Sequence, residues 1–180
     1  MTEILAISGS LRHASTNTAA LRTAAVLAPD GTTVTLFQGL DSLPHFNPDR
    51  DVNPLPAPVV ALRQAVSACD AVLFSTPEYA GTLPGSFKNL LDWMVGGTEL
   101  NDKAAGWINT SPGIGRGSGA TAALVTVLHY LTANIVEDAC VQVPIGREQV
   151  GLDGIITDGS LCAQIILVLE ALAAGIGSPS

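Results

Sequence analysis

The run Ala71-Val72-Leu73-Phe74-Ser75-Thr76, apolar at both alternate positions and closed by Pro77, constrains this chain more than any other feature. A strand with one solvated face alternates polar and apolar residues. A run without alternation belongs to a strand covered on both sides, as in a parallel sheet between two helical layers. After Pro77 the stretch is punctuated by Gly81, Pro84 and Gly85. Leu83, Phe87, Leu90, Leu91 and Met94 then fall at helical spacing, with Lys88, Asn89 and Asp92 between them. The order is strand, loop, helix. Ligands of open parallel sheets bind outside the carboxyl ends of the strands, so the loop from Pro77 to Gly85 is a candidate site by position alone.

The same unit recurs along the chain. Glu3 to Ser8 reads as a first strand and Thr16 to Ala28 as a helix stopped by Pro29-Asp30-Gly31; Thr32 to Phe37 is a β-branched second strand. Gln38 to Pro58, rich in proline and turn residues, is expected to be an irregular loop and a candidate lid. A helix over Val59 to Ala68 leads into the Ala71 strand. Ala104 to Asn109 is a fourth strand, followed by a glycine-rich loop and a helix carrying Leu124, Val127, Leu128 and Leu131. A fifth strand is placed at Ala139 to Val143, and a last helix from about Asp158. Five strands alternating with five helices give an α/β class, a doubly wound five-stranded parallel sheet in three α/β/α layers. No repeat or linker divides it, so residues 1–180 are expected to form a single domain.

Charge narrows the partners. The formal net charge is −8, from 8 basic and 16 acidic residues, and the basic residues are scattered; nucleic acid and anionic membranes are disfavoured. Charged residues make up only 13% against 47% hydrophobic, which suggests that a partner subunit covers part of the surface. Cys69, Cys140 and Cys162 form no CxxC pair and sit in apolar surroundings; they read as buried thiols in a reducing compartment. The amino-terminal residues lack a basic and apolar leader pattern, and Leu161 to Ala174 is too short to span a bilayer, so a cytoplasmic location is expected. His13, His45 and His129 lack ligand spacing, so no metal site is expected.

Three loops at strand ends carry chemistry. In the first, Gly9 to Thr18, Ser10, Ser15, Thr16 and Thr18 offer hydroxyls, Asn17 an amide and Arg12 a guanidinium, beside a helix start with free N–H groups. This suits a phosphate dianion. The plainer alternative, a helix cap at Ser15 or Thr16 and a surface charge at Arg12, stands beside it. A nucleotide-triphosphate loop is not supported, because no Gly-Lys-Ser/Thr follows. In the second loop Tyr79 offers an aromatic face, and the backbone N–H groups of Ala80 to Thr82 could meet the carbonyl-rich edge of a flat heterocycle. Glu78 has three open roles: to accept from a ring N–H, to pair with a basic residue, or to face water. The third loop, Ser111 to Ala120, holds Gly115-x-Gly117-x-x-Ala120 with Glu137 and Asp138 about 20 residues on, a loose dinucleotide fingerprint. Those acids precede the apolar part of the next strand, whereas a ribose-binding acid belongs at a strand's end. We therefore read this loop as a flexible, donor-rich third wall of one pocket, with Arg116 either a ligand contact or an exposed charge.

Gly9-Ser10-Leu11-Arg12 with Ser15 and Asn17, and Pro77-Glu78-Tyr79 through Pro84-Gly85, Lys88-Asn89 and Asp92-Trp93, together resemble the NADPH-dependent FMN reductase family. The likeness is strong to Trp93 and looser beyond it. It implies a flavodoxin-like fold, bound FMN, NADPH or NADH as hydride donor, a small-molecule electron acceptor, and a homodimer or homotetramer. By that resemblance Ser10, Arg12, Ser15, Asn17 and Thr18 hold the FMN phosphate. Pro77, Glu78, Tyr79, Ala80 and Gly81 lie along the ring, with Ser111 and Gly115 from the third loop. No side-chain acid or base is required, so no catalytic residue is named; the cofactor carries the chemistry. The family often has Asn where Ala80 stands, and Lys-Pro where Lys103-Ala104 stands. A non-catalytic FMN electron carrier and a dinucleotide-binding dehydrogenase using the Gly115 loop are the alternative functions.

Overall fold

A computed structural model describes residues 1–113 and 115–177; Ile114 of the third loop and residues 178–180 lie outside the described part. The chain runs β1 (Thr2–Ser8), α1 (Thr16–Val26), β2 (Thr32–Leu36), α2 (Ala57–Ala68), β3 (Ala71–Ser75), α3 (Gly85–Asp92), β4 (Ala104–Asn109), α4 (Ser118–Tyr130), β5 (Asn134–Gln142) and α5 (Gly159–Ala174). The strands form one sheet in the order β2-β1-β3-β4-β5. Every pairing is parallel. This is the flavodoxin-like doubly wound order, with its switch point between β1 and β3.

Both faces of the sheet are buried, as the unalternating strands require. On one face Leu5, Ile7, Val72, Phe74, Ala105 and Trp107 pack beneath α2, α3 and α4. On the other Ile4, Ala6, Ala71, Leu73, Ala104 and Ile108 pack against α1 and α5. Every residue of β3 is buried, which is why this strand is the plainest in the sequence.

Two elements differ from the sequence expectation. β5 begins at Asn134 rather than Ala139, because its register slips: Ala105 pairs with Ile135 but Trp107 pairs with Cys140. The intervening residues bulge and turn Glu137 and Asp138 to solvent, so two adjacent charges hide a strand from its apolar pattern. Gly106 faces the bulge, and a β-carbon there would stand 2.7 Å from the Ala139 carbonyl oxygen.

The stretch from Gln38 to Pro58 is not a lid over the pocket described below. It contains two short 3-10 turns, Leu40–Ser42 and Pro48–Arg50, and is fastened to α3 and α2. Asn89 accepts from the Phe46 N–H at 2.7 Å and donates to the Pro44 carbonyl at 3.0 Å; the Trp93 indole donates to the same carbonyl at 2.7 Å. Phe46 meets Trp93 edge to face. Arg63, largely buried, pairs with Asp51 at 2.8 Å and donates to the Trp93 carbonyl. The Asn89 and Trp93 positions thus hold a strap.

The three cysteines are unpaired, Cys69 buried and the other two half-buried. Burial pushes the Cys69 thiol up and the Cys140 thiol up to about 12, so both stay protonated near neutral pH. No described helix is long and apolar enough to cross a membrane.

Candidate functional site

The carboxyl ends of β1 and β3 lie side by side, with Ser8 paired to Ser75, so the loops that follow them share one end of the sheet. A cavity of about 560 Å³ opens there, lined from the first loop by Ser10, Arg12, Ser15, Thr16 and Asn17 and from the second by Pro77, Glu78 and Tyr79. The size is that of a small-molecule site. Thr110, Ser111, Arg116, Gly117 and Arg147 close it on the β4 and β5 side.

The first loop is shaped by its own hydroxyls. Ser8 Oγ accepts from the Ser10 N–H at 3.3 Å, and Ser10 Oγ accepts from the Arg12 N–H at 3.3 Å. Ser15, in extended conformation, caps α1 by accepting from the Thr18 N–H at 3.4 Å. The N–H groups of Thr16 and Asn17 point past this cap with no intrahelical acceptor, and the helix dipole adds positive potential at the same place. Asn17 is buried; its Oδ1 lies 2.9 Å from the Ser75 hydroxyl, which also reaches the Ile108 carbonyl at 2.7 Å. α1 is thereby pinned to β3 and β4, with Asn17 in the cavity lining. Thr16 and Thr110 share a hydrogen bond at 3.0 Å across the floor. The Thr18 hydroxyl bonds Ser8 at 2.8 Å, and Thr18 lines a neighbouring groove rather than this cavity.

The second loop is a two-residue hairpin. Tyr79 and Thr82 exchange both backbone hydrogen bonds, at 2.9 and 3.1 Å, around Ala80 at φ 50° and Gly81 at φ 78°. Two successive positive φ values define a primed turn, which favours Asn or Gly and is strained for Ala. The turn uses the Thr82 N–H internally, so only the Ala80 and Gly81 N–H groups of this segment remain for a ligand. Tyr79 keeps about half its surface exposed. Ala80 and Gly81 themselves lie at the tip, outside the cavity lining.

Glu78, which lines the cavity, also makes a contact outside the three roles open to it in the sequence. Its Oε2 accepts from the Gly119 N–H at 2.7 Å and the Ala120 N–H at 3.2 Å, capping α4 from another loop. α4 lacks a cap of its own: it starts behind Gly117 at φ 80°, with no side-chain cap bond. Close approach makes the link possible, since a β-carbon on Gly119 would stand 2.3 Å from the Gly81 carbonyl oxygen.

Hydrogen bonds brace the described part of the third loop. Asn109 donates to the Arg116 carbonyl at 2.8 Å and accepts from the Ser111 N–H at 3.0 Å; Gln142 donates to the carbonyls of Ser111 and Gly113. Ser111 reaches the cavity, while Gly115 lines a groove beside it.

Three arginines, Arg12, Arg116 and Arg147, line the cavity, against the one carboxylate of Glu78, which α4 already occupies. In a chain with 8 basic residues and net charge −8, that gathering focuses positive potential on one cleft. Arg147 and Thr110 escape motif reading because they lie far along the chain from the first loop. Their signal is positional: each follows the carboxyl end of a strand, β5 or β4.

Fold and site together define a flavodoxin-like domain with a cleft lined by arginines and hydroxyls at its switch point. The model of the NADPH-dependent FMN reductase family matches residues 2–148, and the chain belongs to that family. It is similar to the NAD(P)H-dependent FMN reductase of Pseudomonas aeruginosa, 41% identical over 91 residues, 51% of this chain and 49% of that protein. It is also similar to the quinone reductase of Pseudomonas putida, 31% identical over 144 residues, 78% of this chain and 74% of that one. Among solved structures it resembles FerB, a flavoenzyme NAD(P)H:(acceptor) oxidoreductase from Paracoccus denitrificans. There the TM-score is 0.77 and the identity 27%, over 97% of this chain and 98% of that one. The chain spans about half the length of the P. aeruginosa relative and 57 to 61% of three plant NAD(P)H:quinone oxidoreductases.

Proposed function

We propose that residues 1–180 act as one FMN-binding domain of an NAD(P)H-dependent oxidoreductase that passes reducing equivalents from NADPH or NADH to a small acceptor such as free flavin or a quinone. The observation that carries this reading is the cleft at the β1/β3 switch point, where the open α1 N-terminus, the hydroxyls of Ser10 and Thr16 and the Arg12 guanidinium converge. That donor set fits a phosphate dianion. Ser10, Arg12, Ser15 and Asn17 hold the phosphate, with Thr18 supporting them through Ser8. Pro77, Tyr79, Ala80 and Gly81 flank the flat ring, Glu78 holds their loop against α4, and Ser111 and Gly115 belong to the opposite wall. When bound, FMN supplies the hydride-accepting and hydride-donating centre. The protein orients it, and Arg116 offsets negative charge in the cleft.

Family membership and the names of the relatives support the reading. A homodimer or homotetramer fits the half-covered apolar side chains of α4, Val125 and Val127, and Tyr130, which is 87% exposed. A cytoplasmic setting fits the three free thiols.

The test is the absorbance spectrum of the purified protein reconstituted with FMN, before and after NADPH under anaerobic conditions. Flavin bands that bleach without any added reductase are expected. A protein that binds NADPH but no FMN sinks the reading, and one whose FMN stays oxidised until a separate reductase is added is a carrier instead.

A further inference from the structure

A second groove, of about 260 Å³, runs along the outer side of α1 and continues from the cleft: Ala14, Ser15, Thr16 and Arg147 line both. Its own residues include His13, Ala19, Arg22, Val150, Leu152 and Gly154. No Asp or Glu lines it, although acids outnumber bases two to one in the chain. Arg22 and Arg147 form no salt bridge among the described residues.

The far wall is built. Val150 and Ile156 form an isolated antiparallel bridge, and within it Gly151 donates to the Ile155 carbonyl at 2.8 Å and Gly154 to the Gly151 carbonyl at 2.9 Å. The buried N–H of Ile156 donates to Thr23 Oγ1 at 2.9 Å, which fastens the turn to α1. Gly154, at φ 79°, clears the place where Arg22 lies: a β-carbon there would stand 2.8 Å from Arg22 Nη1. The groove thus carries two guanidiniums, Arg147 where it meets the cleft and Arg22 beside Gly154, and Leu152 stands fully exposed on its rim.

A single FMN phosphate is served by the α1 N-terminus, its hydroxyls and Arg12. Arg22 and Arg147, one turn and one loop further out, are surplus to it, and unpaired guanidiniums flanking a groove are the donor set for a second phosphate. We propose that this groove takes the adenosine 2′-phosphate end of NADPH, with Arg22 and Arg147 on the phosphate and Leu152 against the base. This makes Arg22 a determinant of NADPH over NADH; it rests on the oxidoreductase reading above and deepens it.

Two measurements test it. The first is steady-state kinetics of the FMN-loaded protein and its Arg22→Ala variant with each nucleotide: the NADPH to NADH ratio of kcat/KM should fall about tenfold, the scale of one charge-assisted hydrogen bond lost. An unchanged ratio, including equal losses with both nucleotides, overturns the proposal. The second is calorimetric binding of 2′,5′-ADP, 5′-AMP and FMN to the protein, which needs no turnover. The wild type should bind 2′,5′-ADP more tightly than 5′-AMP, and Arg22→Ala should erase that difference. No preference in the wild type overturns the groove assignment, as does a variant that loses FMN affinity instead, since that assigns Arg22 to the flavin phosphate. If the protein oxidises neither nucleotide, the oxidoreductase reading fails, while the 2′,5′-ADP preference still decides the groove.

Discussion

α1 and α4 both begin behind small-residue loops at the carboxyl ends of parallel strands, yet their N-termini are in opposite states. α1 is capped by its own Ser15, which satisfies one N–H and leaves those of Thr16 and Asn17 at the cleft. α4 has no side-chain cap, and the Glu78 carboxylate from the β3 loop occupies the N–H groups of Gly119 and Ala120 in its first turn. A glycine-rich loop before a helix is therefore not sufficient for an anion site; the amides must also be unclaimed. This disposes of the rival reading of Gly115-x-Gly117-x-x-Ala120 as a pyrophosphate loop, because its helix already holds an internal anion.

Substitutions at four positions break or sharpen that contrast. Gly119→Ala has the largest expected effect: its methyl group meets the Gly81 carbonyl oxygen and forces the hairpin from α4. It should cost about 3 kcal/mol in urea unfolding, the upper range for inserted bulk. Glu78→Ala should cost about 2 kcal/mol, the scale of a lost charged cap. Sulfate should then stabilise the variant more than the wild type, because a second helix end has been opened; equal stabilisation would show that α4 never resembled α1. Glu78→Gln, which keeps an acceptor oxygen, should recover more than half the loss. Arg12→Ala should weaken FMN binding by about 1.5 kcal/mol while leaving the melting temperature of the FMN-free protein within a degree or so; unchanged affinity refutes the phosphate assignment at α1. Ala80→Gly should stabilise the hairpin by about 1 kcal/mol, since glycine accepts the positive φ that alanine resists. A destabilised Ala80→Gly would mean that the turn is held by something other than its backbone.

The sheet was legible in the sequence wherever a strand is buried on both faces, as β3 is, and that the first-loop residues would line a cleft was legible because they sit in one loop and one helix start at a strand's carboxyl end. What escaped depends on tertiary contact. Glu78 could not be assigned because its partners lie some 40 residues on, in a helix whose lack of a cap is invisible until its loop is folded. Arg147 reaches the cleft only through the return of the chain after β5. Thr18 offers a hydroxyl on paper, but Ser8 claims it. Asn89 and Trp93 carry the family resemblance without touching the cleft, for their polar atoms are spent on the strap at Pro44 and Phe46.

The bulge in β5 carries a further consequence, for the behaviour of the protein in a crowded solution. β5 is an outer strand of the sheet, and an outer strand is a template on which a foreign strand can assemble. Here the ladder is interrupted opposite Gly106, and Glu137 and Asp138 project where a newcomer would align. Broken spacing and paired negative charges make the edge a poor template, so the irregularity that hides β5 from pattern reading also guards the sheet against growth.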